Sequence, residues 1–238
     1  MLDTIKIEQL LILDIETVPQ YENYEAMSDR WKKLWDHKAS FLAKNGETPS
    51  EIYQRAGIYA EFGKVVCISA GIVHPKGAEF GFRIKSYYGH DEKELLANFG
   101  DMLQTNFAGL GKYLCGHNAK EFDFPYMCRR MLANGLKIPQ ILDLTGRKPW
   151  DVSHLDSMDL WKFGDYKNFT SLDLLSAVFD IPTPKENMDG SQVYPVYYKD
   201  KDLERIKTYC EKDIITLANI LLRFKGHPIL EEHNIEIA

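Results

Sequence analysis

Two carboxylates stand at the end of an apolar run near the start of the chain. Asp14 and Glu16 follow the residues LLIL at positions 10–13, and the run predicts a buried strand over residues 10–18. Side chains two residues apart on a strand point to the same face of a sheet, so both groups would share one site. A buried carboxylate needs a partner, a proton or a metal ion. The alternative is that the strand has already ended and both side chains face water.

A third carboxylate lies on a long helix, which the sequence predicts over residues 201–224. Apolar residues recur along this segment at spacings of three and four, and Asp213 borders or enters the apolar stripe. Tyr209 precedes Asp213 by four positions and therefore lies on the same face of the helix. The two residues either enter a polar site or mark the ordinary boundary of a packed helix.

A fourth carboxylate, Asp123, ends the segment GHNAKEFD at positions 116–123. A strand predicted over residues 112–115 runs into a Gly–Asn turn here, and a helix predicted over residues 124–134 follows. Asp123 is well placed to cap that helix, which would require no catalytic role.

Taken together and in this order, the three segments resemble the DEDD superfamily of 3′–5′ exonucleases, the DnaQ-like group with the ribonuclease H-like fold. The matching runs are LDIETVP at 13–19, GHNAKEFDFP at 116–125 and YCEKD at 209–213. Tyr209 matches the tyrosine subclass, because the histidine subclass would place its histidine where Thr208 stands. Within the superfamily the chain is most similar to stand-alone exonucleases related to the proofreading domain of family-B DNA polymerases. The similarity extends over residues 7–224.

This resemblance implies hydrolysis of phosphodiester bonds from the 3′ end of a single strand, with DNA as the expected substrate. It implies two divalent ions, Mg²⁺ or Mn²⁺, which in such sites lie roughly 3.5–4 Å apart and prefer carboxylate oxygens as ligands. Asp14 would bridge both ions. Glu16 and Asp213 would support the ion that activates water, and Asp123 the ion beside the leaving 3′ oxygen. Tyr209 would hold or orient the attacking water.

Five further residues are expected to contact the substrate, namely Thr17, Asn118, Phe122, Lys185 and Ser191. The first three belong to the motif segments. The last two belong to the loop at positions 185–192, which directly precedes the helix of Asp213. This loop either closes over the 3′ end of the strand or is an ordinary connection.

The remaining patterns predict the elements that position these residues. Strands over residues 64–73 and 79–88 flank a turn and indicate an antiparallel hairpin, and a fifth short strand is predicted at 140–144. A hairpin followed by strands that alternate with helices predicts an α/β fold with a mixed sheet flanked by helices, in agreement with the ribonuclease H-like resemblance. Residues 19–62 would form a helical insertion, with a helix over 24–43, inside a single exonuclease domain spanning residues 1–238.

Composition and charge limit the class of protein. The 238 residues are 45% hydrophobic and 27% charged, which is ordinary for a globular domain. No apolar run approaches the ~18–20 residues that a membrane span needs, and we expect a cytoplasmic protein whose four cysteines are buried free thiols. Arg129 and Arg130 are interpreted as a solvated helix face. The net charge of −6 conflicts with nucleic-acid binding unless metal ions and local basic groups compensate for it.

Two other functions suit the same fold, a non-catalytic nucleic-acid-binding module and a small-nucleotide hydrolase. Loss of one of the four carboxylates would indicate the binding module, and all four are present. Any proofreading would be exercised in trans, on a separate polymerase or repair partner.

Overall fold

The structure is a computed structural model that describes residues 4–44, 46–165, 167, 169–182 and 188–238. The strands of this part of the chain are β1 (Leu10–Pro19), β2 (Gly63–Lys76), β3 (Glu79–Tyr88), β4 (Tyr113–Gly116), β5 (Leu155–Asp156) and β6 (Ile235–Ile237). They form one sheet in the order β5-β4-β1-β2-β3-β6. Strand β2 pairs antiparallel with both β1 and β3. The other three pairs are parallel: β4 with β1, β5 with β4, and β6 with β3. The mixed sheet and the hairpin that the sequence predicts are confirmed.

The helices are α1 (Asp29–Ala39), α2 (Glu92–Thr105), α3 (Asp123–Ala133), α4 (Ser157–Lys162), α5 (Leu172–Val178), α6 (Val193–Pro195) and α7 (Leu203–Phe224). Side-chain caps fix several of their starts: Asp91, Ser171 and Asp202 each accept a hydrogen bond from a backbone N–H in the first turn of α2, α5 and α7. A five-residue π-helix, Val196–Asp200, links α6 to α7. No helix among the described residues combines the length and the apolar character needed to cross a membrane.

The prediction of a strand at residues 140–144 is wrong. Backbone hydrogen bonds from Leu142 and Asp143 to the carbonyl of Pro139 close a turn here, and the Asp143 carboxylate accepts a further bond from the Thr145 N–H. These local bonds satisfy the polar groups that a strand would offer to a neighbour. The strand next to β4 is instead the two-residue β5, which no pattern in the sequence predicts.

The two faces of β1 pack into different cores. The odd-numbered residues 11–15 pack with apolar residues of α2 and α3, whereas Leu10 and Ile12 pack against α7. Because side chains alternate along a strand, Asp14 and Glu16 continue the series of Leu10 and Ile12. Both carboxylates therefore fall on the face of the sheet that α7 covers.

Residues 19–62 carry a small aromatic core of their own. Trp35 of α1 is fully buried, with its ring 5.6 Å from that of Tyr53 and 5.3 Å from that of Phe62. The helix predicted over residues 24–43 is shorter than expected. Its N-terminal part instead turns back on α1, where the Tyr24 hydroxyl donates to the Asp36 carboxylate at 2.8 Å.

A buried ion pair joins this insertion to the rest of the fold. The Arg130 guanidinium donates to both carboxylate oxygens of Glu92, at 2.9 and 2.6 Å, and to the carbonyl of Ala60 at 2.9 Å. Glu92 also accepts the backbone N–H of Val65, the third residue of β2, at 2.8 Å. Both charged side chains are only 8% exposed, so the interpretation of Arg130 as a solvated residue is wrong.

Removal of one partner would leave a buried charge uncompensated, which typically costs about 3–5 kcal/mol. We expect Arg130→Met to lower the free energy of unfolding by about that amount, as measured by urea denaturation. The matched control is Arg55→Met, which breaks the exposed ion pair with Glu47 and should cost about 1 kcal/mol or less. Equal small losses in both variants would mean that the buried pair contributes nothing beyond an exposed one.

Candidate active site

Three elements meet at the carboxyl end of β1. Because β4 runs parallel to β1, the loop that follows β4 emerges at the same edge of the sheet as Asp14 and Glu16. Asp123 begins α3 after that loop, and its carboxylate accepts the backbone N–H of Ile15 at 3.2 Å. Glu16 is 7% exposed and Asp123 4% exposed. Asp123 is therefore bonded to the strand between the first two carboxylates and does not cap its own helix with its side chain.

The turn that carries Asp123 is held by a carboxylate absent from the sequence predictions. Asp156 at the end of β5 accepts the backbone N–H of Asn118 at 2.9 Å and that of Lys120 at 3.1 Å. Asn118 is in the left-handed region, with φ of 61°. A side chain at Gly116 would collide with the Cβ of Ala119, so the chain can fold back here only on glycine. Asp156 also caps α4, and an aspartate directly before a helix was the available signal.

Helix α7 brings Tyr209 and Asp213 to the same edge. The Tyr209 hydroxyl donates a hydrogen bond to the Asp213 carboxylate. The pKa of Tyr209 is raised strongly by burial and then by the negative charges of Asp213 and Glu16. The phenol therefore stays protonated at neutral pH and keeps its proton for the bond to Asp213. The structure thus brings together all five residues that the sequence predicts to be catalytic.

The four carboxyl groups share one electrostatic problem. Burial, followed by the neighbouring carboxylates, holds the pKa of Asp14 and of Glu16 well above the ordinary range. Burial raises the pKa of Asp123 to about 7 and that of Asp213 to about 6. Among the described residues, no Lys or Arg forms an ion pair with any of the four. A cluster of hard oxygen donors without a cationic side chain suits divalent ions such as Mg²⁺ or Mn²⁺.

Cys210, which the sequence predicts as a buried free thiol, also belongs to the site. The Cys210 sulfur lies 3.4 Å from a carboxylate oxygen of Asp14 and 3.5 Å from its carbonyl oxygen. Ligand atoms of Asp14, Glu16 and Cys210 all lie within 4.8 Å of one another, a spacing that a single metal ion could bridge. The contact joins residues 196 positions apart, and no local pattern signals it.

The residues expected to contact the substrate are placed unequally. Thr17 follows an irregularity in the pairing of β1 with β2 and hydrogen-bonds the hydroxyl of Tyr126. Phe122 is partly buried, with its ring 5.3 Å from that of Tyr126, and it directly precedes Asp123. Ser191 is exposed and donates to Asp189 within its own turn. It forms no hydrogen bond to Asp14, Glu16, Asp123 or Asp213. Lys185 lies outside the described residues.

Comparisons with known proteins cover most of the chain. Residues 58–230 match a family described as predicted 3′–5′ exonucleases related to the exonuclease domain of PolB. The structure of the family B DNA polymerase from the hyperthermophilic archaeon Pyrobaculum calidifontis is similar over 90% of this chain and 24% of that one, with a TM-score of 0.52 and 16% identity. A product-bound structure of exonuclease I matches 87% of this chain and 46% of that one, with a TM-score of 0.43 and 11% identity.

The chain thus spans less than half the length of each of these two proteins. The similarity to the polymerase confirms the fold that the sequence predicts. No curated protein matches the sequence.

The raised pKa values predict how stability depends on pH and on metal ions. The Asp123 carboxyl, with an ordinary pKa of 3.8 and a folded value of about 7, takes up a proton on folding between these values. This contribution to stability is present in full below pH 3.8 and is lost as the pH rises through about 7. In EDTA, we expect the contribution of this carboxyl to the melting temperature to fall from pH 5 to pH 8. The increase in melting temperature that Mn²⁺ produces should become larger over the same range.

The control for this prediction is Asp14→Asn, measured by the same thermal unfolding at pH 8 with EDTA or Mn²⁺. Relief of clustered negative charge should leave the metal-free variant as stable as the wild type or slightly more stable. The rise in melting temperature with Mn²⁺ should be smaller than in the wild type. A large loss of stability in EDTA would identify Asp14 as a structural residue instead.

Proposed function

Since the chain belongs to the family of predicted 3′–5′ exonucleases related to the exonuclease domain of PolB, we propose that it degrades single-stranded nucleic acid, with DNA as the expected substrate. The observation that carries this proposal is the convergence of Tyr209 and four carboxylates, which form no ion pair with the described Lys and Arg residues, at one edge of the sheet. A binding module would have no need for a charge cluster that weakens the fold.

The carboxylates are proposed as the ligands of two divalent ions, Mg²⁺ or Mn²⁺. Asp14 is proposed as the ligand that both ions share, which is the role that the family resemblance implies for this position. Glu16 and Asp213 would hold the ion on the side of α7, and Asp123 the ion on the side of α3. Bound ions of this kind activate water and neutralise the charge that develops on the phosphate.

Tyr209 is proposed to position the attacking water and not to deprotonate it. Its hydroxyl already donates to Asp213, and its raised pKa excludes a phenolate near neutral pH. The hydroxyl oxygen has a lone pair left to accept a hydrogen bond from water. Such a bond would fix the orientation of the water molecule, while the water's other proton is transferred to a different acceptor.

Thr17, Asn118 and Phe122 are proposed to contact the terminal nucleotides. Phe122 offers a ring next to Asp123, and base stacking on aromatic side chains tolerates any sequence. Thr17 adjoins Glu16, and the turn of Asn118 leads into α3. Contact of Lys185 and Ser191 with the 3′ end stays a prediction from the sequence.

The direction of digestion is tested with four substrates of one sequence. A linear single strand and one with a blocked 5′ end should be degraded at the same rate in Mg²⁺. A strand with a bulky 3′ block and a circular single strand should resist, because neither offers a free 3′ end. Asp14→Ala is the control for contaminating nuclease. Digestion of the circle at the linear rate would exclude an exonuclease.

The roles of Tyr209 and Asp213 are separable, although the two residues share one hydrogen bond. Tyr209→Phe should slow single-turnover cleavage by about 10²–10⁴-fold, the range for one positioned proton-handling group, with Mn²⁺ affinity nearly unchanged. Asp213→Asn should abolish cleavage and weaken Mn²⁺ binding.

The matched control is Tyr88→Phe, which removes another tyrosine–carboxylate hydrogen bond, to Glu204 at 2.7 Å, and should cleave at the wild-type rate. Wild-type cleavage by Tyr209→Phe would make Tyr209 a packing residue. Loss of metal in that variant would place its hydroxyl among the groups that support the ions.

A further inference from the structure

One face of α1 is exposed and combines basic, aromatic and aliphatic side chains. Arg30, Lys33, Leu34, His37 and Phe41 are all exposed, and their spacing of three and four places them in one row, here named the α1 stripe. Leu34 is 47% exposed and Phe41 75% exposed. Phe41 follows the last residue of α1, but backbone bonds such as Phe41 N–H to Lys38 continue the turn and keep it in line.

The fold does not require these side chains at the surface. Trp35, on the opposite side of α1, fills the aromatic core of the insertion and fixes the helix in place. Arg30 and Lys33 form no ion pair within the described part of the chain. The rings of His37 and Phe41 meet edge to face with centroids 5.1 Å apart, so each leaves a π face open.

The charge around the stripe is opposite to that of the whole chain. Residues 28–44 contain five Lys or Arg and two Asp, whereas the chain carries a net charge of −6. Of the two acids, Asp36 accepts the Tyr24 hydroxyl and is thereby held on the side of the insertion core. A polyanion that approaches α1 therefore meets a local excess of positive charge.

The insertion also stands beside the catalytic edge of the sheet. It begins directly after β1, whose last residue, Pro19, is three positions beyond Glu16. Tyr198 of the π-helix donates its hydroxyl to the carbonyl of Pro19 at 2.6 Å, and Tyr194 donates to that of Glu22 at 2.6 Å. These bonds tie the start of the insertion to the segment that precedes α7.

We propose that the α1 stripe binds the single-stranded substrate at nucleotides 5′ of those held in the active site. Arg30 and Lys33 bind phosphates, and Phe41 with His37 stacks on a base. Alternating cations and aromatic rings along one row match a sugar–phosphate backbone with bases beside it. An acidic protein surface would use the cations and leave the rings without a role. This inference rests on the proposed exonuclease function.

The test compares strands of two lengths with the same 3′ sequence. Binding of a 5′-labelled strand of about 30 nucleotides is followed by fluorescence anisotropy in EDTA, where no metal-dependent cleavage occurs. Phe41→Ala should weaken binding by about 5-fold or more, the equivalent of one lost stacking contact. Lys33→Glu should weaken it and lower the slope of log affinity against log salt by about one. Cleavage of a strand of about six nucleotides in Mg²⁺ should match the wild type.

The matched control is Lys76→Glu, the same charge reversal at the last residue of β2. Lys76 is exposed and lies near the N-terminal end of β1, away from the end at which the insertion begins. This variant should leave binding of the long strand unchanged. Equal weakening by Lys76→Glu would mean that only net charge matters, and the proposal would fail. Unchanged binding in both stripe variants would also overturn it and would leave an acidic protein as the partner to test.

The exonuclease activity and the binding at the α1 stripe are tested separately. If the wild type cleaves neither strand, the proposed exonuclease function is wrong, while the anisotropy still decides whether the stripe binds nucleic acid. Thermal unfolding of Phe41→Ala and Lys33→Glu should match that of the wild type, because both side chains are exposed. A matching melting temperature assigns any loss of affinity to the stripe itself.

Discussion

Half-buried Asp14 and buried Glu16 lie on the face of the sheet that α7 covers, where an ionised carboxylate loses part of its hydration. Asp123 and Asp213 approach the same place from α3 and α7, so each group also meets the charge of the others. The hydrogen bonds available to them, from the Ile15 N–H, the Tyr209 hydroxyl and the Cys210 thiol, offset only part of this cost. The site is therefore a source of instability that bound cations would relieve, and the rest of the fold has to tolerate it.

Other buried carboxylates of the protein differ in one respect, because their charge is balanced from within. Glu92 is bonded by the guanidinium of Arg130 and by a backbone N–H. Asp156 accepts three backbone N–H groups, those of Asn118, Lys120 and Met158. These two acids hold elements together, Glu92 at the insertion and Asp156 at the turn before α3. The contrast separates these two structural acids from the four proposed metal ligands by their partners, since each group contains buried side chains.

Features that follow from the periodic spacing of apolar residues within one element are predicted well from the sequence. Features that depend on contacts between residues far apart in the chain are predicted poorly. Alternation in β1 and the three- and four-residue spacing in α7 place Asp14, Glu16, Tyr209 and Asp213 on their correct faces. Strands β5 and β6 have two and three residues, too few to show a period, and exist because a neighbouring strand pairs with them. The same holds for the contact of Cys210 with Asp14 and for the ion pair of Arg130, both of which join residues far apart in the chain.

The net charge of −6 looks unfavourable for a protein that acts on nucleic acid, but its effect depends on distance. At physiological ionic strength the Debye length is about 8 Å, so a phosphate responds mainly to charges within that range. The acidic cluster is then a local obstacle to the strand, which two bound divalent ions would neutralise. Further along the strand the local surface decides, and at α1 that surface is basic. Acidic groups on remote faces repel the strand only weakly, so the overall charge does not oppose binding along such a path.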